Sequence, residues 1–266
     1  MARPSPQELS AVPHHFIANR TIANPYNPSQ YEDEALALLS ELYKTHDDVI
    51  ACGGSGLYID ALCVGMARMP DPSPQLRARL KRQILDGQLP QLCKMLEELD
   101  PEYYHRVDLK NPVRVQRALE VILTTGRPYS QVVSQKPTPR PFSVVKLALI
   151  PSHAILRQRI DARVDLMFAD GLLEEASQLY DRYILPHRHS QNSISDFPYN
   201  TLNTVGYSEL FNHLDGHTTL TEAKQRIKYN TWHYAKKQLT WIARYHDVAV
   251  FDNPQDILLH SIALQP

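Results

Sequence analysis

Residues 47–66 run DDVIACGGSGLYIDALCVGM, and the fold turns on how this stretch is read. Val49, Ile50, Ala51 and Cys52 make a short apolar run, Gly53-Gly54-Ser55-Gly56 stops it, and Leu57, Ile59, Ala61 and Leu62 begin a second apolar segment. That order predicts a buried strand, a tight glycine turn and a helix. Paired glycines at the carboxyl end of a strand let a ligand approach the backbone, and the amides opening the next helix form a seat for negative charge. A plain strand-to-helix connection has the same glycine spacing.

The totals bound the possibilities. A chain of 266 residues, 43% hydrophobic and 21% charged, can bury one large core or two modest ones. Lys plus Arg (28) nearly equals Asp plus Glu (29), which excludes a globally basic polymer-coating protein and makes the placement of cations matter more than their sum. No apolar run approaches the roughly 20 residues that cross a bilayer. The opening MARPSPQELS has no apolar centre of a secretion signal. A cytoplasmic location is therefore expected. Cys52, Cys63 and Cys93 are odd in number, sit among apolar neighbours and lack metal-ligand spacing. They are expected to be reduced packing residues, with neither a disulfide framework nor a structural zinc. His14, His15, His187 and His189 give no metal site either.

Outward from the glycine corner, residues 1–28 hold many prolines and little helical periodicity, so an extended lead-in is expected, with one short strand at His15-Phe16-Ile17. Ser29 with Glu32 predicts a capping box, after which Tyr31, Ala35, Leu38, Leu39 and Leu42 recur at helical spacing. Strand, helix, strand, helix implies a parallel sheet of the α/β kind. Beyond the prolines of 67–74, two amphipathic helices carry Leu76, Leu80, Ile84 and then Leu89, Leu92, Met95, Leu96, separated by Asp86-Gly87. A third opens on Asn111 as cap with Pro112 in its first turn and runs to Gly126, its buried face Val115, Ala118, Leu119 and Ile122. Together they suggest a helical subdomain, residues 69–138, inserted between two α/β portions, residues 1–68 and 139–266.

Residues 139–150 return to strand character, with Val144, Val145, Leu147, Leu149 and Ile150 placed near the sheet interior. Ser152 caps a helix with Leu156, Ile160, Val164, Met167 and Phe168 facing inward, Asp170-Gly171 turns into a helix over 172–183, and 184–199 form a polar, mobile loop. The box Thr219-Leu220-Thr221-Glu222 opens the longest helix, 221–245, with an inward stripe of Ile227, Thr231, Ala235, Leu239 and Ile242 and with Lys224, Lys228, Lys236 and Lys237 around it. A strand at Val248–Phe251 closes the fold.

Singly, the basic residues are most simply a solvated helix face. The Lys236-Lys237 pair beside Tyr229, Trp232, Tyr234 and Trp241 combines cations with stacking surfaces, which suits RNA phosphates and splayed bases. Taken in order, VIACGGSGLYIDAL, NPVRVQRALEVILTTGRPYS, RIDARVDLMFADGLLEEA, LNTVGYSEL and YAKKQLTWIAR resemble the tRNA dimethylallyltransferases, or tRNA isopentenyltransferases, from about Ala2 to Asp252.

The resemblance implies transfer of a dimethylallyl group from dimethylallyl diphosphate to the exocyclic amine of the adenosine beside the anticodon, in tRNAs reading codons that begin with U. It also implies a P-loop NTPase-like parallel sheet core with the helical insertion gripping the anticodon stem-loop; apart from the resemblance, no membrane partner is expected, and a monomer is one possible state that the sequence does not decide. The family's Gly-Gly-Thr corresponds to Gly53-Gly54-Ser55, so Gly53 and Gly54 would lie at the diphosphate and the Ser55 hydroxyl near the target base. Arg163 would meet the departing diphosphate with a bidentate fork. The tRNA contacts implied are Arg77; Val113, Arg114, Gln116 and Arg117; Asn203, Gly206 and Tyr207; and Lys236, Lys237, Gln238, Trp241 and Arg244. In the last group the family has an arginine soon after the tryptophan, whereas here Ala243 precedes Arg244.

The front of the sequence departs from the family pattern. Family members begin with a strand and a G-x-x-x-x-G-K-[ST] loop, then an Asp-Ser segment whose aspartate is the general base. Neither occurs in this sequence, and MARPSP aligns just beyond both. The resemblance implies Mg2+, but the loop hydroxyl that would hold it is not in the sequence. Two accounts stand at this stage: an enzyme whose reading frame starts upstream, and a tRNA-binding remnant without catalysis.

Overall fold

The computed structural model describes residues 4–22, 24, 26–134, 139–186 and 200–257. In chain order the helices are α1 (Pro6–Ala11), α2 (Pro28–Leu42), α3 (Gly56–Cys63), α4 (Pro74–Leu85), α5 (Leu89–Leu99), α6 (Pro101–Tyr104), α7 (Pro112–Thr125) and α8 (Tyr129–Val133). Strand β1 (Lys146–Leu149) follows, then α9 (His153–Ala169), α10 (Leu172–Leu179) continuing into a π turn at Tyr180–Ile184, α11 (Tyr207–Leu214), α12 (Leu220–Ile242) and strand β2 (Val248–Phe251). The class is mixed α/β, mostly helical with a small parallel sheet. No helix among the described residues is long and apolar enough to cross a membrane.

The chain forms two compact units, the first made of Met1–Asn27, Gly54–Gly56 and Val144–Pro266, the second of Pro28–Gly53 and Leu57–Ser143. The first unit is built on α9 to α12. Ser152 Oγ accepts the Ile155 amide at the start of α9. Gly171, at φ 91°, turns the chain into α10, and the Thr219/Glu222 capping box opens α12. Their inward faces meet in one core of Val164, Leu172, Ala176, Tyr180, Ile184, Leu202, Leu210, Phe211, Ala223 and Ile227. Beside it β1 and β2 pair in parallel, Lys146 opposite Val248 and Leu149 opposite Phe251.

The second unit is helical. Asn111 Oδ1 accepts the Arg114 amide, Pro112 occupies the first turn of α7, and Gly126, at φ 68°, ends it. The predicted stripe Val115, Ala118, Leu119 and Ile122 is buried, and it packs with Leu80 of α4 and Leu92 and Leu96 of α5. Buried Asp100 caps the Tyr103 amide at 3.0 Å and accepts from the Ser130 amide at 2.7 Å and hydroxyl at 2.8 Å. Three donors compensate the carboxylate for lost water.

Several local expectations are corrected. Val49–Cys52 forms no strand: a strand needs a neighbour for its amides and carbonyls, the run has no ladder partner among the described residues, and Ile50 is 87% exposed. His15–Ile17 is no strand either, because Phe16 and Ala18 both take positive φ. The lead-in instead holds α1, opened by Ser5, Pro6 and Glu8 in the same capping-box pattern that was expected at Ser29. There α2 already starts at Pro28, and Glu32 turns inward to pair with Arg140. Val144 and Val145 precede β1 and are exposed, since a two-stranded sheet has no interior position for them. Helix 172–183 gives way to the π turn after Leu179, and Ile184, expected in a polar loop, is fully buried. The rest of that loop, 187–199, with His187 and His189, lies outside the described residues. Cys52 is exposed rather than packed, while Cys63 and Cys93 are half-buried, and among the described residues none of the three is in a disulfide.

Candidate RNA interface and diphosphate-binding residues

In the first unit the glycine corner lies against α12. The Gln238 side-chain amide donates to the Gly54 carbonyl at 2.8 Å. A Cβ on Gly54 would fall 2.1 Å from Gln238 Nε2, and one on Gly56 would fall 2.2 Å from Trp241 Cγ. Gly53 has nothing within 4 Å of that position. The close approach of α12 therefore requires glycine at positions 54 and 56, whereas a Cβ at Gly53 would meet open space. Ser55 is exposed between them. Trp241 donates from Nε1 to the Tyr245 hydroxyl at 3.1 Å, and the Arg244 guanidinium sits 4.6 Å from its ring centre.

Elsewhere on this unit, Arg163 projects from α9 and is exposed. The Glu8 carboxyl, which that charge also reaches, is held below its ordinary value chiefly by hydrogen bonds from the Ser5 amide and hydroxyl. Lys236 and Lys237 are exposed on α12, with Tyr229 and Tyr234 exposed nearby along the helix. Lys224 and Lys228 are not part of that open set: both engage Asp165, at 3.0 and 2.7 Å, and lower its pKa. Trp232 is flanked by the Arg157 guanidinium, 5.7 Å from its ring centre, and by the His153 ring, edge-on with ring centres 5.6 Å apart.

The turn before α11 places Asn203 at the surface and Gly206 inside, at φ 106°. Buried Glu209 shapes it, accepting the Gly206 amide at 2.8 Å, the Ser208 hydroxyl at 3.0 Å and the Asn230 amide of α12 at 2.6 Å. The Tyr207 hydroxyl donates to Glu175 at 2.8 Å. Burial first, then that bond, push its phenol up to about 12.

In the second unit Val113 and Arg114 are exposed at the start of α7, Val113 at 73%. One turn on, Gln116 Nε2 donates to Glu120 Oε1 at 2.9 Å and Arg117 Nη1 lies 3.4 Å from Glu120 Oε2. Arg77 of α4 brings its Nε to 3.4 Å from Glu120 Oε1. Three residues expected at RNA thus converge on one carboxylate.

A family model described as IPP transferase matches residues 1–245. The chain belongs to this family. It is 42% identical over 265 residues to tRNA dimethylallyltransferase 1 of Phocaeicola vulgatus, covering 98% of this chain and 84% of that protein. Against tRNA dimethylallyltransferase 1 of Bacteroides fragilis it is 39% identical over 255 residues, with 96% and 80% covered. The solved structure of the full-length tRNA isopentenylpyrophosphate transferase of Bacillus halodurans superposes with a TM-score of 0.61 at 29% identity, covering 98% of this chain and 79% of that one. A eukaryotic dimethylallyltransferase solved while acting on tRNA shares the fold, with a TM-score of 0.72 at 23% identity over 93% of this chain and 61% of that one.

Glu120 and Glu209, the two buried carboxylates beneath the expected contact residues, are absent from the residues that the sequence singles out. Both have local signatures: Glu120 stands three and four positions after Arg117 and Gln116, the helical pairing distance, and Glu209 stands three after Gly206 as a capping acid. Among the described residues no three His, Cys, Asp or Glu side chains gather as a metal ligand set. Magnesium held at phosphate groups takes only one or two protein ligands, and the loop hydroxyl that the resemblance implies for it is not in this sequence.

Proposed function

We propose that this chain transfers a dimethylallyl group from dimethylallyl diphosphate to the exocyclic amine of the adenosine adjacent to the anticodon, in tRNAs that read codons beginning with U, releasing diphosphate. The observation that carries the reading is the 42% identity to a tRNA dimethylallyltransferase across 98% of the chain. In this reading the α/β portions, 1–68 and 139–266, hold the donor and the C-terminal tRNA-binding helices. The insertion, 69–138, takes the anticodon stem-loop through Arg77, Val113, Arg114, Gln116 and Arg117. A P-loop-like sheet core belongs to the same proposal.

The chemistry is a displacement at the allylic carbon: its bond to the diphosphate oxygen breaks, a bond to the adenine nitrogen forms, and the amine loses a proton. Charge grows on the leaving diphosphate, so a cation aimed there lowers the barrier most. Arg163 is assigned that role, with Gly53 and Gly54 as the close backbone approach and the Ser55 hydroxyl beside the target base. The base must leave its stack, at a cost of a few kcal/mol that is least in a loop. Exposed Tyr229 and Tyr234, with Lys236 and Lys237, supply stacking and charge for the loop. Asn203, Gly206 and Tyr207, with Gln238, Trp241 and Arg244, complete the contact.

A gel shift with anticodon stem-loop RNA, run beside a prenyl-transfer assay, tests the reading. Binding together with transfer is expected, and binding without transfer would reduce the chain to an RNA-binding protein.

A further inference from the structure

Glu120 is 4% exposed, on a helix whose neighbouring positions Val115, Ala118, Leu119 and Val121 are fully buried. A carboxylate in that setting costs stability unless donors surround it. Its partners come from two helices: Gln116 and Arg117 on α7 donate to it, and Arg77 on α4 pairs with it. Each has a reason to be elsewhere. Arg77 is 54% exposed and Arg117 34% exposed, and an arginine at the surface gains little from a single ion pair. The pair between α4 and α7 therefore does more than join two helices that Leu80 and Leu119 already pack together.

The atoms used are informative. Arg77 brings its Nε to 3.4 Å from Glu120 Oε1 while its side chain stays 54% exposed, and a guanidinium has the fork geometry that matches phosphate oxygens. Arg117 meets it through Nη1 alone. The buried carboxylate accepts hydrogen bonds from Gln116 and Arg117 and forms an ion pair with Arg77, and both arginine side chains remain partly exposed. Two arginines against one glutamate leave a single positive excess, which favours oriented recognition over general attraction to polyanions.

We propose that Glu120 is a positioning residue for tRNA: it fixes Arg77 and Arg117 on one face of the α4–α7 pair with their guanidinium groups presented to the RNA backbone. This rests on the reading of Arg77 and Arg117 as RNA contacts. Glu120 does not touch the RNA, and it acts by restricting the two side chains that do.

The test compares affinity for the anticodon stem-loop with affinity for an unrelated single-stranded RNA of equal length, across a salt series, for the intact chain. Arg77→Ala and Arg117→Ala should each weaken stem-loop binding about tenfold and lower the salt slope by roughly 0.7 to 1. Glu120→Gln removes a negative charge, so the salt slope should not fall, while the preference for the stem-loop drops about tenfold. A purely structural glutamate would lower folding stability and leave that preference intact in the folded protein. Arg77→Lys, a surface change that keeps the charge and loses the fork, should show the same loss of preference with an unchanged slope. If the two alanine variants bind as the parent does, the contact reading fails. If they weaken binding while Glu120→Gln or Arg77→Lys keeps the parental preference, the positioning role is overturned and the contact reading survives.

Discussion

Gln238 reaches across 184 positions of chain to donate its side-chain amide to the carbonyl of Gly54, at 2.8 Å and within one compact unit. The glycine corner is thereby tied to α12, with Trp241 filling the space beside Gly56.

Gly56→Ala should therefore destabilise the chain by about 1–3 kcal/mol, because the new methyl collides with an indole ring that cannot swing aside freely. Gly53→Ala, with open space around it, should stay within about 0.5 kcal/mol. Urea unfolding compares the two, and equal losses would show that Trp241 does not hold the corner.

Glu32 and Arg140, 5% and 7% exposed, form a buried pair at 2.7 Å, and Arg140 Nε also donates to the Leu62 carbonyl at 2.8 Å near the end of α3. Arg140→Leu leaves the carboxylate buried without its cation and should cost about 3–5 kcal/mol. Adding Glu32→Leu should recover part of that loss in a double-mutant cycle. Strict additivity would mean that the two groups do not interact.

Tyr207 makes the alkaline side of stability distinctive. Its phenol titrates at about 12 in the folded chain against 10.0 ordinarily. The folded state keeps a proton that the unfolded state sheds, so the contribution is whole below about pH 10 and is lost as pH climbs through about 12. Tyr207→Phe should flatten that decline in unfolding curves between about pH 9 and 12. An unchanged decline would place the titration elsewhere.

The sequence made the second unit legible because each helix there is punctuated locally: Asn111, Pro112 and Gly126 bound α7, and its stripe is the buried one. The sheet was harder. Val49–Cys52 has strand composition, yet pairing is a property of neighbours, which one segment's side chains do not record. Glu32 shows the same limit: its spacing from Ser29 signals a cap, but its partner Arg140 lies 108 positions away. At the candidate site the contact residues came from ordered motifs, whereas the acids beneath them, Glu120 and Glu209, carry only a local spacing signal, and their burial and partners on other helices follow from the fold.

Arg163→Ala should lower prenyl-transfer turnover about a hundredfold or more, as expected for losing a group aimed at developing charge, with tRNA affinity nearly unchanged. Equal losses in turnover and affinity would move Arg163 from the leaving group to the RNA.

The most direct measurement maps the product: tRNA reading a codon that begins with U is incubated with the protein and dimethylallyl diphosphate, then digested and its nucleosides placed by mass. The expected product carries one added dimethylallyl group, on the adenosine next to the anticodon, and none forms when that adenosine is replaced by guanosine. Unmodified tRNA recovered from a protein that demonstrably binds it, or the group found at another position, would contradict the proposed transfer.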